Sequence, residues 1–193
     1  MSFIPAFELG VCNAWIVELL LVTTMFSGNL IDKKASKRFS VIPPYGKPVK
    51  TTFLIVKLMT IITFGYSVFL PLRFDTIWFY VGLPICFLAL VMSFMVGINF
   101  ASTPSNKPAS KGVYRISRNP AYLSIFLIDI GIAISSISLI FLLFGIIHLI
   151  LSNTLIAYEE RFCLKKYGLA YQEYMNQTPR WIGIPKSKKT ILH

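Results

Sequence analysis

Long apolar stretches, separated by short segments rich in lysine and arginine, constrain this chain more than any other feature. About 20 consecutive apolar residues are enough to cross a bilayer as an α-helix. Of the 193 residues, 55% are hydrophobic and only 14% are charged, and the mean hydropathy is +0.66. A water-facing surface would not tolerate such long uncharged stretches. The composition therefore predicts an all-α integral membrane protein with a single membrane domain, residues 1–193.

The apolar runs predict about five transmembrane helices. Residues 122–151 form a run of roughly 30 residues, which is too long for one straight crossing. Its Ser135-Ser136-Ile137-Ser138 break predicts two short or tilted helices joined by a tight turn, and one long tilted helix is the alternative. Residues 1–30 lack a basic start and a cleavage-like site, so we expect the first span to be retained. The predicted spans are 10–30, 51–72, 76–100, 122–135 and 138–157, the last two forming a helical hairpin.

The distribution of positive charge predicts how these spans are oriented. The net charge is +11, and the lysines and arginines cluster in loops 31–50 and 101–121 and after residue 160. Residues 1–9 and the serine turn carry none. Loops rich in lysine and arginine stay in the cytoplasm. The chain is therefore predicted to be a multi-pass protein of the cell membrane, whose five spans place the N-terminus outside and the C-terminus in the cytoplasm. The positive charges then face the headgroups of membrane lipids, so nucleic-acid binding is not expected.

Residues 158–177 are predicted to form a cytoplasmic C-terminal helix. Tyr167, Tyr171 and Tyr174 recur at three- and four-residue steps, which gives the helix one apolar face. Pro179 ends the pattern. Such a helix packs on the membrane domain or the headgroups, and it is also placed to cover a site.

Two polar segments flank the predicted hairpin and should meet at its open end. The first is Gly112–Tyr122, and the second begins with Glu159 and Glu160. Carboxylates at the end of a membrane helix are often simply exposed to water. Here the hairpin is expected to bring them next to arginine, asparagine and tyrosine side chains. Glutamate can hold ribose hydroxyls or an ammonium group, arginine a carboxylate, and tyrosine can stack on an adenine. This combination suits S-adenosylmethionine, which carries an adenine, a ribose, an amino acid end and a sulfonium cation.

Motifs of several other enzyme classes are absent from the sequence. No two of the eleven glycines form a GxG, so the Rossmann-type nucleotide loop is missing, and there is no P-loop, HExxH or GxSxG. Cys12, Cys86 and Cys163 are widely spaced without a CxxC, which predicts neither a disulfide framework nor a zinc site. His148 lies in an apolar span and is interpreted as structural. No metal cofactor is expected.

Three ionisable residues lie within the predicted spans, where charge is costly and usually functional. Glu18 and Lys57 either pair with each other, or Lys57 extends towards the headgroups. Asp129 lies about two turns into the fourth span, and its role in substrate binding or in packing stays open.

Residues 105–185 resemble the isoprenylcysteine carboxyl methyltransferase family, in particular its small prokaryotic members. The first three spans match only as generic membrane helices. Where the family has Arg-His-Pro, this chain has Arg118-Asn119-Pro120, and an asparagine amide cannot titrate near neutrality. The motifs that carry the resemblance are Gly112-Val-Tyr-Arg-Ile-Ser-Arg-Asn-Pro-Ala-Tyr122, Glu159-Glu160-Arg161-Phe162, the Tyr167-Gly168…Tyr171…Tyr174 run and Pro179-Arg180-Trp181.

The resemblance implies a methyltransferase that uses S-adenosylmethionine and modifies the carboxylate of a lipophilic substrate, such as an isoprenylated cysteine, entering from the bilayer. A carboxylate is already ionised at neutral pH, so no general base is required. Carried over to this sequence, the catalytic residues would be Arg161, Glu160 and Arg180, the arginines facing the substrate carboxylate. The cofactor would be bound by Lys111, Gly112, Val113, Tyr114, Arg118, Asn119, Tyr122, Leu123 and Glu159.

Other activities remain open at this point. A phospholipid or amine N-methyltransferase shares the cofactor-binding pattern, although Arg161 and Arg180 favour an anionic acceptor. A sterol-type membrane reductase would use NADPH, with Lys165 or Lys166 near the 2′-phosphate. A non-catalytic scaffold is disfavoured by the clustered polar residues.

Overall fold

The computed structural model describes residues 9–34 and 46–183, and the regular elements in this part of the chain are helices. Two short 3₁₀ turns, Ser27–Leu30 and Gly112–Arg115, accompany them. This confirms the prediction of an all-α integral membrane protein. The α-helices are α1 Trp15–Met25, α2 Lys47–Ser67, α3 Ile77–Ala101, α4 Pro120–Ser135, α5 Leu139–Tyr167 and α6 Leu169–Gln177.

Three of these helices are long and apolar enough to cross a membrane: Val49–Ser67 within α2, and the whole of α3 and α5. The apolar helices α1 and α4 have 11 and 16 residues. At a rise of about 1.5 Å per residue they extend roughly 16 and 24 Å, against a hydrocarbon layer of about 30 Å. Large apolar side chains on the outside of the bundle are exposed, as a lipid-facing surface requires.

The first predicted span, 10–30, is α-helical only from Trp15 to Met25. Before α1 the chain runs beside the segment that follows α2, and the Ala14 N–H donates to the Leu70 carbonyl at 2.9 Å. After α1 the chain tightens into the Ser27–Leu30 turn, whose Ser27 hydroxyl donates to the Phe94 carbonyl of α3 at 2.8 Å. Hydrogen bonds to neighbouring segments therefore hold both ends of the predicted span in conformations that are not α-helical.

The predicted helical hairpin is confirmed, and the alternative of one long helix through 122–151 is wrong. α4 ends at Ser135 and α5 begins at Leu139. Ile137 in the turn has a positive φ of 53°, a conformation that reverses the chain direction. The Ser138 hydroxyl then accepts a hydrogen bond from the Phe141 N–H at 3.2 Å, which caps the start of α5.

The C-terminal helix predicted for 158–177 is divided in the structure. Residues 158–167 continue α5, and only Leu169–Gln177 form the separate helix α6. The break is at Gly168, which has φ 56° and ψ −131°, a backbone conformation that residues with a Cβ disfavour. The tyrosine periodicity runs through this position, so it gave no sign of the break.

Small residues allow α3 and α4 to pack closely. A Cβ added at Gly82 would lie 2.5 Å from the carbonyl oxygen of Gly131, and one at Gly131 would lie 3.0 Å from the Cys86 backbone nitrogen. Such contacts between small residues are a common basis for helix association in membranes. With α5 packed on α4 through the hairpin, the bundle brings the start of α4 next to the end of α5.

Five of the positively charged residues from which the orientation was predicted lie outside the described residues. They are Lys37, Arg38, Lys186, Lys188 and Lys189.

Candidate active site

A cavity of about 520 Å³ lies at the end of the bundle where α4 begins and α5 ends. Small-molecule sites commonly occupy about 300–1,000 Å³. Its walls come from the end of α3, the loop before α4, the first turns of α4, the last turns of α5, and α6. Six of the residues predicted for the site line this cavity: Tyr114, Arg118, Asn119, Tyr122, Glu159 and Glu160.

The turn that brings Tyr114 to the cavity depends on a contact with α3. Gly112 has a positive φ of 59°, and a Cβ there would collide with the side-chain amide of Asn99. The Asn99 Oδ1 accepts a hydrogen bond from the Val113 N–H at 3.0 Å. Sequence reasoning missed Asn99, whose only signal is a polar side chain near the end of an apolar span.

Glu159 brings a carboxylate to the cavity wall. The Tyr122 hydroxyl donates to its Oε1 at 2.7 Å, which joins α4 to α5 across the open end of the hairpin. Cys163 and Lys166 line the same cavity. They follow Glu159 by four and seven residues, the spacing that keeps side chains on one helix face, and this spacing could have identified Lys166 from the sequence. The cavity wall therefore carries both an anionic and a cationic side chain.

Glu160, the next residue, has a different environment. Its side chain is only 3% exposed. Oε1 accepts hydrogen bonds from Arg118 Nε at 3.0 Å and Asn119 Nδ2 at 3.2 Å. Oε2 accepts two from Arg180, from Nε at 3.2 Å and Nη2 at 2.6 Å. Charge-assisted bonds of this kind are among the strongest in proteins, so Glu160 ties three parts of the chain together.

Asn119 stands where the resembled family has histidine, and its amide takes part in the same network. Besides Glu160, the Nδ2 group donates to the Arg180 carbonyl at 3.2 Å. The Asn119 N–H donates to the Ser117 hydroxyl at 3.0 Å. The amide thus supplies hydrogen bonds at this position and no proton-transfer group.

A short segment after α6, residues 178–183, is held against the start of α4; we call it the C-terminal strap. Arg118 Nη1 donates to the carbonyls of Met175 at 2.8 Å and Thr178 at 2.9 Å. The Arg118 N–H donates to the Pro179 carbonyl at 2.9 Å, and the Gly183 N–H to the Ile116 carbonyl at 3.2 Å. The strap and α6 therefore close one side of the site.

Aromatic residues form another wall of the cavity. The Tyr174 hydroxyl donates to the Tyr114 carbonyl at 2.7 Å, and the rings of Tyr171 and Tyr174 lie 5.7 Å apart in an edge-on arrangement. Burial raises the pKa of Tyr114, Tyr171 and Tyr174. The three phenols are therefore neutral at physiological pH and offer ring faces and edges to a ligand.

The remaining predicted site residues are not among those that line the cavity. Arg161 is exposed, and its guanidinium carbon lies 5.8 Å from the centre of the Tyr158 ring. Arg180 is engaged by Glu160. Lys111 and Gly112 begin the turn before α4, Val113 packs among the tyrosines, and Leu123 is buried in α4.

Comparison with known families gives a match that covers part of the chain. Residues 86–170 match the model of the family described as phospholipid methyltransferase, which belongs to the same superfamily of membrane methyltransferases as the isoprenylcysteine carboxyl methyltransferases. No curated protein matches the chain. The matched segment includes α4, α5 and the lining residues from Phe100 to Tyr167. Together with the long apolar helices, this match supports the assignment of the chain as a membrane methyltransferase.

Proposed function

We propose that this protein transfers a methyl group from S-adenosylmethionine to a lipophilic acceptor that enters from the bilayer. The observation that carries the proposal is the carboxylate of Glu159, held by Tyr122 at the wall of a 520 Å³ cavity. Both residues lie within the segment that matches the phospholipid methyltransferase family. The predicted orientation places this cavity at the cytoplasmic side, where the cofactor is available.

The residues around the cavity fit the chemistry of this cofactor. Glu159 suits ribose hydroxyls or the ammonium group, and Lys166 suits the carboxylate of the amino acid end. The rings of Tyr114 and Tyr171 suit an adenine. When bound, S-adenosylmethionine supplies an electrophilic methyl group on a sulfonium. The chain itself would bind and orient the reactants and exclude water from them, since methyl transfer needs no covalent intermediate on the protein.

An amine is one candidate for the acceptor group. The family match is to phospholipid methyltransferases, and the Glu159 carboxylate would stabilise the positive charge that develops on nitrogen as a neutral amine attacks the methyl group. The two arginines expected to hold a substrate carboxylate do not line the cavity, because Arg180 pairs with Glu160 at 2.6 Å and Arg161 lies over Tyr158. These contacts favour a lipid amine.

A carboxylate, as in an isoprenylated cysteine, is the second candidate. It is supported by the resemblance of residues 105–185 and by Lys166, a cationic residue that lines the cavity and whose Nζ lies 4.9 Å from the centre of the Tyr167 ring. With this acceptor, Lys166 would orient the substrate carboxylate, as expected of the arginines from the sequence, instead of the carboxylate of the cofactor.

One transfer assay distinguishes these acceptors. The purified protein in lipid nanodiscs is incubated with tritiated S-adenosylmethionine and either an aminophospholipid or a prenylcysteine analogue. A methyl ester releases volatile methanol in mild base, whereas an N-methyl group does not. We expect transfer to one of the two lipids, strongly reduced in Glu159→Gln and unchanged in Glu173→Gln, an exposed substitution on α6. Absence of transfer to both lipids, with the cofactor bound, would exclude the proposed acceptors.

A further inference from the structure

A second cavity, of about 270 Å³, lies deeper in the bundle between α1, α2, α4 and α5. Its polar residues include Glu18, Asp129 and His148, and it shares Ile125 with the first cavity. Asp129 follows Pro120 by nine residues, which places it about 14 Å along α4 from the first site. This is near the middle of a hydrocarbon layer about 30 Å thick, and nothing in the proposed methyl transfer uses these side chains.

Two carboxylate oxygens in this cavity are buried without a hydrogen bond. Glu18 and Asp129 are only 8% and 5% exposed, and neither Glu18 Oε1 nor Asp129 Oδ2 accepts a hydrogen bond within residues 9–34 and 46–183. Asp129 Oδ2 does lie 3.5 Å from His148 Nδ1, a contact that becomes an ion pair when the imidazole is protonated. Lys57 lies over the Phe53 ring at 4.9 Å and does not line the cavity. Burial of such oxygens is costly unless the carboxyl group is protonated or a ligand supplies donors.

Helix packing fixes the position of Asp129. A Cβ added at Gly145 of α5 would lie 2.8 Å from the Asp129 Cβ, so the bare glycine provides the space in which this side chain sits. His148 follows Gly145 by three residues on α5, and its Nδ1 lies 3.5 Å from Asp129 Oδ2. Asp129 is thereby held at the cavity wall by two residues of the neighbouring helix.

The cavity is accessible from the side of the bundle. Val22 of α1 and Ile61 of α2 line it and are 47% and 69% exposed. Both lie on apolar helices whose outer surfaces face lipid. A ligand would therefore come from the bilayer and would need a hydrocarbon portion to pack against Leu21, Ile125 and Ile128.

We propose that this second cavity binds the protonated amine of a lipophilic molecule taken up from the bilayer. An ammonium group offers three N–H donors to buried carboxyl oxygens, and its positive charge would stabilise the ionised form of a carboxyl group, which burial alone disfavours. A carboxylate or phosphate ligand would bring negative charge and no donor to these oxygens, and a hydroxyl would bring a single donor and no positive charge. The three polar side chains do not converge as a metal-binding group within the described residues.

Photo-crosslinking in nanodiscs tests this site directly. The probes are a long-chain primary alkylamine with a diazirine on its hydrocarbon chain and the alcohol of the same length. The amine is expected to label peptides of α2 and α4 around Ile61 and Ile128 saturably, and unlabelled amine should displace it at least tenfold more effectively than unlabelled alcohol. Equal competition by amine and alcohol would overturn the assignment of a charged ligand.

Substitutions of the two carboxyl groups test whether labelling depends on them and not only on the apolar surface of the cavity. Glu18→Gln and Asp129→Asn keep the side-chain shape, and each should weaken amine binding by on the order of tenfold. Ile128→Phe fills the cavity while leaving both carboxylates, and it should also reduce the labelling. Unchanged saturable labelling in the double variant Glu18→Gln/Asp129→Asn would refute the site.

The first cavity supplies an independent control in the same experiment. The variants of the second cavity should retain S-adenosylhomocysteine binding, which reports that the bundle is folded. Glu159→Gln should leave amine labelling unchanged. The two proposals can therefore fail separately.

Discussion

At the scale of single residues, Glu159 and Glu160 are neighbours in α5 with different surroundings. Glu160 is buried and accepts four hydrogen bonds from Arg118, Asn119 and Arg180. Glu159 lies at the cavity wall, where the Tyr122 hydroxyl holds one of its oxygens. Successive residues of a helix point in directions about 100° apart. The Glu160 carboxylate therefore lies within the network that stabilises the site, whereas the Glu159 carboxylate lies where it can contact a ligand.

Replacing Glu160 tests its stabilising role. Glu160→Gln removes the charge between Arg118 and Arg180 and leaves the buried Arg118 without its counterion, which should cost about 3 kcal/mol. We expect a clear fall in the thermal midpoint of the protein in detergent, followed by circular dichroism. Glu173→Gln, the same change at an exposed position of α6, should have almost no effect. Equal midpoints for the two variants would show that the Glu160 network contributes little to stability.

At the scale of helices, the junction between α5 and α6 sets the position of the tyrosine wall. Gly168 has φ 56°, and a Cβ there would meet no atom within 4 Å. Substitution by alanine therefore tests backbone strain alone, which should cost about 1–3 kcal/mol. Gly168→Ala should lower stability and weaken ligand binding in the first cavity, because Tyr171 and Tyr174 depend on this junction.

The matched control for this prediction is Gly65→Ala. Gly65 lies within α2 and also has open space around its Cα, but it has no positive φ. Alanine in a helix interior is favoured over glycine by up to about 1 kcal/mol, so this variant should be as stable as the native chain or slightly more so. Denaturant titrations of both variants give the comparison. Equal stability of the two would contradict a strained Gly168.

The helices also show which features could be predicted from the sequence. Residues 76–100 and the serine turn were predicted within one or two residues, because length, hydropathy and turn chemistry are local properties. The end of α5 was not predicted, because the helix breaks at a positive φ of Gly168 and the spacing of the tyrosines continues unchanged through this position. The short α1 depends on contacts with Leu70 and Phe94, which are remote in the sequence.

The same limit applies to the candidate site. The hairpin correctly predicted that Arg118, Asn119 and Tyr122 would meet Glu159 and Glu160. The sequence did not show which carboxylate the arginines would engage, because the pairing of Arg118 and Arg180 with Glu160 joins residues 42 and 20 positions apart. Lys166, on the same helix as Glu159, is a second cationic residue among those that line the cavity, besides Arg118.

At the scale of the whole molecule, the predicted orientation is open to a direct labelling test. Cys12 is exposed before α1, and Asn106 is exposed in the loop before α4. In a chain with Cys86→Ser and Cys163→Ser, a membrane-impermeant maleimide should label Cys12 on intact cells. With Cys12→Ser as well, Asn106→Cys should be labelled only after permeabilisation. Labelling of Asn106→Cys on intact cells would reverse the proposed topology.

Ligand binding to the purified protein tests most directly whether the cavity at the end of the hairpin binds S-adenosylmethionine. Titration calorimetry in nanodiscs compares S-adenosylhomocysteine with NADPH, using the native chain, Glu159→Gln and the exposed control Glu173→Gln. The proposal predicts saturable binding of S-adenosylhomocysteine, weakened about tenfold or more by Glu159→Gln and unaffected by the control, with no binding of NADPH. Binding of NADPH without S-adenosylhomocysteine would contradict it and favour a reductase.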